Sequence, residues 1–204
     1  MKFYKNAITS ILILLTLSFT LTSCSDDDSE VEDTTNEDRT SSYDVNIEGL
    51  GNFSEEGLEL GNPDDTLILA GWAENPGFST EKLTCSFDTE ELLFEAVIML
   101  QDGNPLPIGD GVHINENDAI TSSITFIDKL NNNNAYLSIS GSVSVSNLQI
   151  GPPQTNNPVV EGESSFANFN LTFSGTFDTE DPVTGEDVSR EITADIVAVT
   201  APNL

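Results

Sequence analysis

From about Tyr43 onward the chain alternates apolar and polar residues with a period of two, the repeat of a half-buried strand rather than of a helix. The clearest run is Leu137-Ser138-Ile139-Ser140-Gly141-Ser142-Val143-Ser144-Val145-Ser146, with apolar residues at odd positions and serines at even ones. It predicts a strand whose odd face meets a core. Phe169-Asn170-Leu171-Thr172-Phe173-Ser174-Gly175-Thr176-Phe177 predicts another with its aromatics inward, and the runs 120–126 and 192–196 predict two more. The segment Thr66 to Trp72 is more continuously apolar, which predicts a strand covered on both faces. Residues 90–100 fit a helix by their apolar spacing and also a strand presenting Leu92, Phe94, Ala96, Ile98 and Leu100 to the core. A strand is favoured, because Asp88-Thr89-Glu90 then makes the short connection of a hairpin with 82–88.

Between these runs lie turn-forming clusters: Gly61-Asn62-Pro63-Asp64-Asp65, Asn75-Pro76-Gly77, Asp102-Gly103-Asn104-Pro105, Asn131 to Asn134, Gly151-Pro152-Pro153 and Asp181 to Gly185. Phe-Asp-Thr-Glu occurs at 87–90 and again at 177–180, each time read as a strand ending in an Asx-type turn. Short strands at this spacing, with no helical pattern between them, predict an all-β fold. The expected architecture is an antiparallel β-sandwich, with a barrel-like meander as the alternative.

The N-terminus follows a different pattern. Residues 1–23 combine Lys2 and Lys5, an apolar run from Ile11 to Leu21 and a small-residue end, the layout of a secretory signal. That run is shorter than the ~20 residues needed to cross a bilayer. Leu21-Thr22-Ser23-Cys24 resembles the lipobox of bacterial lipoproteins. The resemblance implies cleavage between Ser23 and Cys24, lipid (palmitate-type acyl chains) on Cys24, and a nearly permanent membrane anchor. Ser25 at the second mature position resembles the pattern sorted to the outer membrane of Gram-negative bacteria. Asp26-Asp27-Asp28 looks like a signal that carries lipoproteins to the cell exterior.

Residues 24–42 hold eight acids and almost no apolar side chain, so they form a self-repelling disordered tether. Residues 43–204 then make one β domain. The chain has 204 residues and a formal charge of −29. Loss of Lys2 and Lys5 with the signal takes this to −31. Such a surface repels nucleic acid and anionic lipid heads, which excludes both as partners. Only Cys24 and Cys85 are available as thiols, so no disulfide framework exists once Cys24 is lipidated. Cys85, on the apolar face of Leu83-Thr84-Cys85-Ser86-Phe87, is expected to be a small buried hydrophobe. The segments Tyr136–Leu148, Leu171–Phe177 and the final strand after Gly185 resemble a group of all-β Gram-negative lipoproteins. That resemblance implies the fold and a cell-surface habit, and it brings no activity with it.

Candidate chemistry is sparse. His113 is the single histidine, and no nucleophile elbow, phosphate loop, dinucleotide fingerprint or zinc signature occurs. The expected protein is therefore non-catalytic, with no catalytic residue, cofactor site or metal site assigned. It binds outer-membrane lipid through its anchor and has a glycan or a surface protein as candidate partner. Two other readings compete: a surface glycan hydrolase using paired carboxylates, and an accessory subunit of an outer-membrane uptake, adhesion or secretion complex. Calcium could be drawn to loops 102–110 (Asp102, Asn104, Asp110) and 178–187 (Asp178, Glu180, Asp181, Glu186, Asp187). Neither loop has the EF-hand spacing, and solvated acidic turns account for both. Trp72, Phe78 and Tyr136 could form an aromatic platform for sugar rings, although core packing is the commoner role.

Overall fold

The structure is a computed structural model describing residues 40–75, 80–110, 120–131, 133–154, 163–181 and 184–200. Among them are ten strands and no helix: β1 (Ser41–Ile47), β2 (Gly51–Leu58), β3 (Leu69–Asn75), β4 (Thr80–Asp88), β5 (Leu92–Gln101), β6 (Asn104–Pro105), β7 (Ser123–Asp128), β8 (Asn134–Ile150), β9 (Ser164–Glu180) and β10 (Asp187–Val199). The all-β expectation holds, and β1 begins two residues ahead of the expected Tyr43 boundary. Every paired strand is antiparallel. The alternating runs form strands because one face of each can be buried, which antiparallel ladders permit. The segment 90–100 is strand β5, hairpinned with β4. Thr89 Oγ1 caps that connection by accepting the N–H groups of Glu91 and Leu92.

Strands β2-β1-β10-β9-β8 follow one another on one side, and β3-β4-β5-β7 on the other. Two long strands join them. The start of β9, Ser164 to Phe166, pairs with β3, and the rest of β9 pairs with β10 and β8. The start of β8, Asn134 to Leu137, pairs with β7 before the strand passes to β9. The sheet therefore closes on itself. Where β10 ends, Thr200 Oγ1 accepts the N–H of Ala70 at 2.7 Å and so continues the contact with β3.

The core lies between the two layers and is built on aromatics. Phe94 of β5 sits 5.0 Å from Phe87 and from Phe126, and 6.1 Å from Phe173 of β9, between centroids. Tyr43 of β1 stacks on Phe87 at 4.4 Å, and Phe177 meets Phe126 edge-on at 5.6 Å. Burying each such ring contributes about 1.5–3 kcal/mol, and each well-placed pair about 0.5–1.5 kcal/mol more. The inward aromatics of 169–177 are as the alternation predicts.

Three expectations are corrected. Leu137 and Ile139 do not face the core: they are 40% and 44% exposed, while Tyr136 and Ser138 are buried. The cause is a bulge. Register shifts between Ser138 and Ser140, so Ile139 is an extra residue on β8 and the inward face changes phase there. Buried Ser138 is satisfied, because its hydroxyl donates to the Gly109 carbonyl at 2.6 Å and accepts the Ile124 N–H at 3.0 Å. Second, Thr66 to Trp72 is not covered on both faces. Strand β3 starts only at Leu69, and Leu67 and Leu69 are exposed. Third, Phe177 to Glu180 is not a turn but the last part of β9, since β10 pairs with it through Asp187.

Gly141 and Gly175 face each other across β8 and β9. A Cβ on Gly141 would lie 2.5 Å from the Ser174 carbonyl oxygen, and one on Gly175 would lie 2.5 Å from that of Ser140. Both obstacles are backbone, which has nowhere to go. Gly175→Ala is expected to destabilise the domain by about 1–3 kcal/mol, the usual cost of overpacking. A urea midpoint equal to that of the parent would show that the two strands are free to separate there.

Candidate functional site

A groove of about 340 Å³ runs across β8, β9 and β10. Two cross-strand rows form its walls: Ser142, Ser174 and Thr193 in one, Ser144, Thr172 and Asp195 in the other. Between them run the backbones of Val143, Phe173 and Ala194, whose side chains alternate to the opposite face. The groove thus follows from the period-two pattern. Serines and threonines on one face of each strand become a surface of hydroxyls, and the other face supplies the core.

Thr172 Oγ1 donates to Asp195 Oδ1 at 2.7 Å, which orients that carboxylate along the sheet. The same device recurs further along, from Thr176 to Glu191 at 2.7 Å and from Ser189 to Asp178 at 2.6 Å. Asp44 of β1 lies directly opposite Asp195, and like charges so placed cost stability. Both are exposed, so water screens the pair. Hydroxyls and one oriented carboxylate can hydrogen-bond a polar ligand. They supply no nucleophile activated by a base.

On the side away from β9, β8 is flanked by the segment 104–108. Ile108 N–H donates to the Gly141 carbonyl on the side of β8 away from β9. The N–H and C=O of one residue point to the same side of a strand and alternate along it. Val143 and Val145 therefore direct theirs away from β9, while Ser142, Ser144 and Ser146 bond to it. Among the described residues, no strand pairs with β8 on that side over Ser142–Ser146. The surrounding segment from Leu130 to Val160 contains no Asp, Glu, Lys, Arg or His. That gap in the charge was a signal in the sequence for this wall of the groove.

Ser23, Cys24, the tether up to Arg39, His113 and Phe78 lie outside the described residues. Cys85 is buried at 2% exposure, as expected, and burial pushes its thiol up to about 12. Trp72 and Tyr136 do not form a platform. Tyr136 is a core residue in the row of Phe87, Phe94 and Phe126, whereas Trp72 lies in the row of Leu83 and Ile98, four residues further along β5. In the acidic loops, Asp181 Oδ1 accepts the Thr184 N–H at 2.9 Å, and the Asp102 carbonyl accepts the Asn104 amide at 3.0 Å. Among the described residues, His, Cys, Asp and Glu form no group of three placed to hold an ion.

No family model matches the chain, and neither the curated proteins nor the solved structures contain a match to it.

Glu95 is a carboxylate in an unusual setting. It lies on the outer face of β5 between Leu93 and Val97, in the cross-strand row Leu69, Ser86, Glu95, Thr125, Leu137. Desolvation raises its pKa above the ordinary carboxylate value. The next acid in that row is Asp178 of β9, opposite Leu137 and three strands away, about 14 Å at ~4.8 Å per strand, which is farther than the ~5–9.5 Å between the carboxyl groups of a two-carboxylate hydrolase. With its folded pKa above its unfolded one, Glu95 favours folding at acid pH, and that contribution is lost as pH rises through the folded value. Glu95→Gln is therefore expected to raise the melting temperature at neutral pH and to leave it unchanged well below the ordinary carboxylate range. Equal shifts at both pH values would show that packing, not charge, is responsible.

Proposed function

We propose that this chain is a lipid-anchored, non-catalytic binding module of the outer-membrane surface, working through the β8–β10 face. The observation that carries the reading is the hydroxyl-lined groove across β8, β9 and β10, whose β8 wall lies in a stretch without charge. A wall of hydroxyls gives an extended polar ligand hydrogen-bonding partners. Acyl groups on Cys24, after cleavage following Ser23, hold the protein at the membrane. The acidic tether of 24–42 lifts the domain from it, facing the cell exterior.

The hydrolase reading is weaker. The one acid lining the groove, Asp195, and Asp44 opposite it on β1 are exposed on an open face, without the apolar enclosure that tunes a general acid. The accessory-subunit reading is compatible with the same groove and differs only in the partner.

Two measurements test the proposal. Cys24→Ala is expected to move the protein from the membrane fraction to the soluble fraction and abolish incorporation of labelled fatty acid; retention in the membrane would refute the anchor. A photoreactive residue replacing Ser142 is expected to give covalent adducts on intact irradiated cells, and one replacing Ser54 on β2 none. The absence of adducts at Ser142 would remove the groove as the working surface.

A further inference from the structure

We infer that the outer face of β3, β4, β5, β7 and the start of β8 docks a protein whose contact surface is apolar and carries a lysine or arginine set against Glu95. This is a second surface, on the opposite layer from the hydroxyl groove.

The face follows from the alternation of β5. Leu92, Phe94, Ala96 and Ile98 point into the core and are buried, so Leu93, Glu95 and Val97 point out. Register sets Leu93 in a row with Ile127 and Ala135, and Glu95 in a row with Leu69 and Leu137. Leu69 is 37% exposed and Leu137 is 40% exposed. On the other layer the outward positions of β8, β9 and β10 are mainly serine, threonine and acid. The two outer faces of one acidic domain thus differ in kind. One is polar, and the other turns leucine, isoleucine and valine towards solvent. A contiguous apolar face left open on a folded domain marks a contact surface.

The chemistry of the partner follows from Glu95. Desolvation without a counter-charge disfavours its ionised form. Among the described residues no cation offsets this. Lys129 is bonded to Asp88 and to the Thr89 carbonyl, and Arg190 donates to the Glu48 carbonyl. Lys82 lies opposite Met99, four residues along β4 from Ser86, the residue that faces Glu95. That separation is about 13 Å at ~3.3 Å per residue. A carboxylate desolvated among apolar neighbours costs the free domain stability, and a cation brought from outside removes that cost. Other occupants bring acid instead. A second copy carries the same excess, −24 over residues 43–204, and the tether of 24–42 holds eight acids against one arginine. Anionic lipid heads are repelled for the same reason. Charge complementarity therefore selects a cationic protein surface.

The full chain with a photoreactive residue in place of Thr125, which lies beside Glu95 in its row, is irradiated on intact cells. It is expected to give a discrete protein adduct. Adding Glu95→Lys should lower the adduct yield about tenfold or more, because it sets like charges against each other. Glu95→Gln keeps the shape and removes the charge. It should lower the yield severalfold, and it carries the comparison if a thermal melt shows that Glu95→Lys does not fold. No adduct at Thr125, an adduct of twice the chain's mass, an adduct with lipid, or a yield unchanged by Glu95→Gln would each overturn the inference. None of these results touches the groove, which adducts at Ser142 test separately.

Discussion

The contact between Gly141 and Gly175 is the constraint from which most of this fold follows. At that point β8 and β9 approach until there is no room for a Cβ on either side. Two residues earlier Ile139 is extruded, and the face that β8 turns inward changes from Tyr136 and Ser138 to Val143 and Val145. The bulge and the glycine pair act together. The bulge bends β8 away from β7 and the glycines allow it to settle on β9, so one strand serves both layers. A sheet that closes through such long strands encloses the cluster around Phe94 without any helix to cover it. The closure also has a consequence at the surface. Because β7 begins only at Ser123 and pairs only with the first residues of β8, the later part of β8 runs past it, and the segment 104–108 comes up against β8 there instead.

Edges of sheets invite pairing, and natural strands blunt them. The outer sides of β2 and β8 are treated differently. Strand β2 carries two adjacent glutamates, and both Gly51 and Gly57 have positive φ, 113° and 71°. That edge is charged and irregular. The β8 edge has alternating serine and valine, which is regular and suited to a ladder, and it begins beyond a buried serine already bonded to the 106–109 segment. The same chain that places an acid on nearly every other exposed strand places none between Leu130 and Val160. Within one molecule, then, one edge is protected by charge and the other by the segment 104–108 that lies beside it.

Much of the fold was legible in the sequence. Period-two alternation identified β5, β7, β9 and β10 and their inward residues, because in those strands a single phase persists from end to end. It failed for β8, where serine sits at both buried and exposed positions. Leu137 and Ile139 look like core residues by type, yet the extra residue at the bulge reverses the face they occupy. Alternation has no memory of a bulge, and Gly141 within the strand was the available warning. At Phe177-Asp178-Thr179-Glu180 turn-forming residue types were outvoted by the ladder with β10. The groove was not legible residue by residue. Its hydroxyls come from three strands that are brought side by side by pairing, and only register places Ser144, Thr172 and Asp195 in one row.

Acidity, which excluded nucleic acid at the outset, acquires a more specific role once the strands are placed. Of the chain's formal charge of −29, −24 falls on residues 43–204, which discourages association through charged faces. It leaves the hydroxyl groove, which is polar but holds one carboxylate already oriented by Thr172, and the β8 edge, which is neutral. These are adjacent, since Ser142 and Ser144 belong to both. Charge therefore acts here by subtraction. It removes competing surfaces and leaves those where side-chain hydroxyls are on offer. Outer-face Leu137 and Ile139, at the start of that edge, would be an aggregation hazard in a neutral protein. In this one the surrounding acids keep copies apart.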